Sequence, residues 1–118
     1  MNQKKKVSGS KYIPSRKKRL CDLGGDIALT NIAQKRLRIK RVKGANIKVS
    51  LLSDEYVFVS KDSKVEKLKI LGVINNPANV NYTRRNIITK SCLVKTEKGD
   101  VKITSRPGQN GILQGVFI

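Results

Sequence analysis

The chain has 118 residues, 26 Lys and Arg against 8 Asp and Glu, a formal net charge of +18 and no histidine. That length favours one compact domain, and so much like charge is self-repelling unless RNA, DNA or an anionic membrane surface is the partner. The missing imidazole removes the commonest general base, the commonest metal ligand and every Ser-His or Cys-His nucleophile pair, so no catalysis, metal or cofactor is expected.

The charge is uneven along the chain. Residues 1–48 carry 15 of the 26 basic residues and two of the 8 acids, Asp22 and Asp26, for a net +13, and the remaining 70 residues a net +5. Met1 to Val7 is basic with no apolar run behind it, which is not a secretory signal. Residues 1–34 show no sustained apolar period. Gly9, Pro14 and Gly24-Gly25 punctuate them, and Lys4-Lys5-Lys6 and Arg16-Lys17-Lys18-Arg19 form two basic runs. Such a segment buries too little apolar surface to offset its ordering entropy, so it reads as a basic N-terminal arm, 1–34, disordered over about its first dozen residues. Leu20, Leu23, Ile27, Leu29 and Ile32 are spaced to let its later part lie against the body.

From Lys35 the pattern turns to strands. Leu37 and Ile39 alternate with Arg36, Arg38 and Lys40, one apolar face and one cationic face. The alternation slips at Arg41-Val42, predicting a bulge, and resumes with Ile47, Val49 and Leu51. Tyr56 to Val59, Val65 to Ile74, Asn86 to Glu97, Val101 to Ser105 and Ile112 to Ile118 are further β-rich runs. Asn76-Pro77-Ala78-Asn79 is the one helix-start signal, with Asn capping and Pro at the first helical position. Gly44 and Asn46 suit positive φ, Lys98-Gly99-Asp100 a tight hairpin, Arg106-Pro107-Gly108-Gln109 a type II turn with a left-handed glycine, and Asn110-Gly111 another reversal. Short strands, frequent turns and almost no helix predict an all-β fold, a small closed or partly closed β-barrel over 35–118. About 84 residues fill two packed sheets poorly, and closure removes exposed edges.

The longest apolar stretch, Ile70 to Ile74, falls far short of the roughly 20 residues needed to span a bilayer. Without export features the cytoplasm is the expected location. Cys21 and Cys92 lack metal-ligand spacing and read as two free thiols. Asp54 and Glu55 point to opposite faces of a strand, and Asp62, Glu66, Glu97 and Asp100 lie in or beside predicted turns; all read as solvated turn and edge residues. The arm's runs suit phosphate neutralisation in any extended conformation. Arg36, Arg38 and Lys40 form an ordered cationic stripe. Tyr82, either a stacking ring or a half-buried barrel residue, precedes Arg84 and Arg85, whose planar forks suit phosphate and base edges. Arg106 is an RNA contact or a brace for its turn. The candidate RNA-binding residues are Lys4, Lys5, Lys6, Lys11, Arg16, Lys17, Lys18, Arg19, Lys35, Arg36, Arg38, Lys40, Arg41, Lys43, Lys48, Asn79, Tyr82, Arg84, Arg85, Lys90 and Arg106.

Asn76-Pro77-Ala78-Asn79 with Tyr82 and Arg84-Arg85-Asn86-Ile87-Ile88-Thr89-Lys90, then Thr104 to Gln109 with Gly111, resemble the archaeal and eukaryotic family of small-subunit ribosomal protein eight. Weaker agreement comes from Arg16 to Arg19, Leu23-Gly24, Thr30 with Ile32, and Lys43-Gly44 with Asn46 and Lys48. The match covers almost the whole chain in one order. It lacks the long insertion of eukaryotic members and so resembles the compact archaeal form. Ser10 and Ala45 stand where the family usually has glycine, Cys21-Asp22 interrupts a stretch usually ending Lys-Tyr-Glu, and Gly25 replaces a usual arginine; these departures bear on the path of the arm. The resemblance implies a β-barrel with a basic extension, bound to small-subunit ribosomal RNA and without enzymatic activity. It implies a monomer within the subunit, next to other ribosomal proteins, with no membrane and no small-molecule substrate. The competing readings are a DNA-coating architectural protein, which lacks a helix-turn-helix or basic-region pattern; an RNA-processing enzyme, which lacks histidine and a carboxylate cluster; and a membrane-active cationic peptide, which lacks an amphipathic helix.

Overall fold

The computed structural model describes residues 5–13, 16–61 and 64–118. Lys4, Pro14 and Asp62, singled out above, lie outside them. Among the described residues, nine strands and one short α-helix follow in chain order: β1 (Thr30–Asn31), β2 (Arg36–Arg41), β3 (Ile47–Ser53), β4 (Tyr56–Lys61), β5 (Lys64–Asn75), α1 (Val80–Arg84), β6 (Ile87–Ile88), β7 (Leu93–Thr96), β8 (Gly99–Ile103) and β9 (Gln114–Phe117). The fold is all-β, as expected, but the strands divide between two sheets. β4, β5, β7, β8 and β9 close into a barrel, and β2-β3-β1-β6 form an open four-stranded sheet. A ring of five strands cannot alternate direction throughout, and the necessary parallel contact falls between β4 and β9.

Closure depends on β5, whose twelve residues pair first with β4 and then with β7. Its register slips between Ile70 and Gly72 and again between Val73 and Asn75. Each slip inserts one unmatched residue, which bends the strand. The two inserted side chains, Leu71 and Ile74, are consequently exposed. The core is built from Val57, Val59, Leu68, Ile70, Val94, Val101, Ile103 and Leu113, joined by Leu51 from β3, Ile88 from β6 and Cys92. The open sheet therefore shares the barrel's core at one end.

Several local expectations are corrected. The bulge predicted at Arg41-Val42 is the end of a hairpin, with Arg41 paired to Ile47 and Val42 N–H donating to Asn46 O. The register shift lies between Arg36 and Leu37, where Leu52 is the extra residue on β3. Gly44 takes positive φ as expected, but Ala45 rather than Asn46 joins it. The run Asn86 to Glu97 is broken, because Asn86 and Ser91 take positive φ on either side of β6 and before β7. The turn at Arg106 is not type II. Gly108 has no positive φ, and Arg106 O accepts from both Gln109 N and Asn110 N, a helical turn instead.

The cap of α1 is Asn79, whose Oδ1 accepts from Asn81 N at 2.9 Å, so Pro77 precedes the helix rather than opening it. Asn76 has a different task. Buried, it donates to Ile87 O, accepts from Ala78 N and from the Thr89 hydroxyl, and ties the end of β5 to β6. Within 1–34, Thr30-Asn31 forms a strand the sequence did not reveal. Thr30 pairs with Ile88 and donates its hydroxyl to Leu51 O, while Asn31 pairs with Ser53. Leu29 is half-buried and Ile32 packs on the core, but Leu20, Leu23 and Ile27 are exposed, so docking begins only at the last of the expected apolar positions.

Candidate nucleic-acid interface

The β2–β3 hairpin carries a cationic surface on paired strands. Cross-strand pairs put Lys40 opposite Lys48 and Arg38 opposite Ser50, and paired residues share a face. Arg36, Arg38, Lys40 and Lys48 therefore line one side, while Arg41 shares the other with Leu37, Ile39, Val49 and Ile47. Like charges directly opposite each other destabilise a ladder. Among the described residues, none of these four side chains forms a salt bridge. Leu37 and Ile39, on the apolar face, are 42 and 66% exposed, because the hairpin extends beyond the core that Leu51 enters. Gly25 of the arm runs beside it, where an added Cβ would stand 3.0 Å from Lys40 Nζ. Lys43 lies in the hairpin turn, held by Asn46 Nδ2 donating to its carbonyl.

The arm presents Lys5, Lys6, Lys11, Arg16, Lys17, Lys18 and Arg19, all exposed. Lys5 bridges to Lys11 around a turn in which Gly9 takes positive φ. Leu20–Asp22 is a single 3-10 turn whose Asp22 accepts from Arg19 N. Arg16 is already engaged, its guanidinium 2.7 Å from Asp22, and that hydrogen bond holds the Asp22 carboxyl below its usual range. Lys35 is likewise engaged, at 3.8 Å from Asp54. Asp54 corrects the reading of the acids as solvated residues. It is buried, and its Oδ1 accepts from Tyr56 N. Glu66 stands within β5, where Lys98 at 2.6 Å lowers its pKa.

A second cationic site surrounds α1. Asn81, Arg84 and Arg85 line an open depression of about 480 Å³. Tyr82 is half-buried, while Arg84, Arg85 and Lys90 are exposed. Asn79 supplies the helix cap on which this cluster rests. The Arg106 carbonyl accepts from Gln109 N and Asn110 N and braces the turn, and its side chain is exposed. Cys21 is exposed, Cys92 is buried, and both are free thiols, as the sequence indicated.

A closed β-barrel joined to an open sheet with an exposed cationic face has the electrostatic footprint of the polyanion-binding class. The whole chain, residues 1–118, matches the family of ribosomal protein S8e, and it belongs to that family. It is 43% identical to the small ribosomal subunit protein eS8 of Methanobrevibacter smithii, covering 94% of this chain and 90% of that one. Identity is also 43% to the eS8 proteins of Nanoarchaeum equitans, over 95% of this chain and 90% of that one, and of Staphylothermus marinus, over 99% and 94%. The family expected from the motifs is the family found.

Proposed function

We propose that this chain is a structural constituent of the small ribosomal subunit, binding and stabilising folded small-subunit ribosomal RNA without catalysing a reaction. Its relatives bear the name of a small-subunit protein along nearly their full length. The observation that carries the RNA reading is the hairpin face on which Arg36, Arg38, Lys40 and Lys48 stand together with no acid paired to them among the described residues. Phosphate relieves that repulsion and releases counterions. Residues 1–34 act as an extension anchored by Thr30-Asn31, and 35–118 as the β body. The protein works in the cytoplasm as a monomer within the ribosome, beside other ribosomal proteins.

The division of labour follows from order. The hairpin and the Arg84-Arg85 cluster read backbone and shape, while the arm lies between RNA helices and neutralises charge so that they pack. Arg16 and Lys35 exchange their carboxylate partners for phosphate, and Asn79 contributes by fixing the turn under Arg84 and Arg85. In the test, the chain co-sediments with small subunits after a high-salt wash, and small-subunit RNA displaces it from duplex DNA. Equal competition by duplex DNA sinks the reading in favour of an architectural DNA-coating protein. Adding the RNA also slows amide exchange across 10–34; unchanged exchange removes the arm from the interface.

A further inference from the structure

Two of the chain's five aromatic rings stand together on the outer wall of the barrel. Tyr56 and Phe58 are two residues apart on β4, so the pleat puts both on one face while Val57 and Val59 fill the core. Lys69 is paired opposite Tyr56 and Lys67 opposite Phe58, which adds two cations to that face. With Lys35, Asp54 and Glu55, the rings and Lys67 line a pocket of about 250 Å³ at the link between the open sheet and the barrel. Tyr82, read as either a stacking ring or a half-buried residue, is half-buried, whereas Tyr56 is 36% exposed.

The polar groups of this pocket divide into spent and unspent ones. Asp54 uses one oxygen for Tyr56 N–H and faces Lys35 with the other. The Glu55 carboxylate forms no salt bridge among the described residues. Lys67 Nζ rests 4.2 Å from the centre of the Tyr56 ring, held only by a cation–π contact on a flexible stem. The pocket, which Gln34 also lines, thus offers a flat aromatic wall, an unspent carboxylate with two oxygens, the Gln34 amide, and a cation free to move. A basic side chain of another protein would meet Lys35 and Lys67 at the same mouth, which disfavours it.

We propose that this pocket takes one unpaired guanine base of the bound RNA. The base stacks on Tyr56, the Glu55 carboxylate accepts from its adjacent N1–H and N2–H donors, and Lys67 leaves the ring for the phosphate. Guanine is the base whose pairing edge presents two parallel donors, the match for one carboxylate. This inference rests on the RNA-binding reading and adds base selectivity to it.

The test uses the full chain. Titrated with 5′-GMP and 5′-AMP, it shows amide shifts at Glu55, Tyr56 and Lys67 with GMP and much smaller ones with AMP; Glu55→Gln removes the preference. With archaeal small-subunit RNA, Tyr56→Ala weakens binding roughly 5- to 160-fold and uncovers one guanine that the wild type protects from N1-directed reagents. Tyr56→Phe retains both affinity and protection, and the salt dependence is the same for all three proteins. Tyr56 is exposed and Glu55→Gln preserves shape, so these variants fold. Wild-type affinity and protections in Tyr56→Ala and Glu55→Gln overturn the base pocket while leaving RNA binding intact. Loss of a neighbouring ribosomal protein from reconstituted subunits, with RNA protections unchanged, overturns it in favour of a protein contact. A wild-type chain that fails to bind the RNA at all brings down the broader reading, and this one with it.

Discussion

A Cβ placed on Gly115 would stand 2.4 Å from Val101 Cγ1 and 2.9 Å from Lys102 O, so β8 and β9 approach as closely as they do because no side chain lies between them. Gly115→Ala is expected to cost about 1–3 kcal/mol of stability, read from the midpoint of urea unfolding. The thiols give a second residue-level expectation. Burial raises the Cys92 pKa, and the side chain is enclosed in the core. A thiol reagent should modify Cys21 at once and Cys92 only on unfolding; immediate reaction of both contradicts the described packing. Asp22 and Glu66 have depressed carboxyl pKa values from Arg16 and Lys98. A depressed folded pKa stabilises above the unfolded value, so both ion pairs persist at neutral pH and are lost as pH falls through the carboxylate range. Carboxyl NMR titration should place both midpoints below the ordinary values of 3.8 and 4.5.

At the scale of elements, the β2–β3 hairpin separates binding from folding. Its outer half is exposed on both faces, with Ile39 and Ile47 each about two-thirds accessible. Arg36 and Lys40 are exposed and Arg38 is half-buried, so reversing the three together to glutamate should leave the protein folded, at a cost of about 1.5 kcal/mol if each surface change costs about 0.5. The same variant should lose most of its RNA affinity. Collapse of the fold in circular dichroism would mean that the stripe is part of the core. The alternation of Arg36 to Lys40 was enough to read this face from sequence, because period two fixes which side chains share a side. The same alternation misplaced the bulge. Hairpin ends and bulges both interrupt the period, and only the partner strand distinguishes them.

For the whole molecule, the expected behaviour is electrostatic. If about 6–10 phosphates are covered, affinity should drop by roughly three to five orders of magnitude between 50 and 200 mM salt. A nearly flat response in filter binding would rule out phosphate contact as the main source of affinity. This charge is a property of composition, so the polyanion partner, the absence of histidine chemistry and the β character were readable from the residues alone, and the ordered motifs around Asn76, Arg84 and Pro107 carried the family. The partition into two sheets, the strand Thr30-Asn31 and the meeting of Glu55 with Tyr56 and Lys67 were not. Local pattern reports which face a side chain occupies but not which distant strand lies beside it. Those neighbours are chosen by long-range pairing, such as β4 with β9 and β1 with β6, and by which arrangement encloses the shared core.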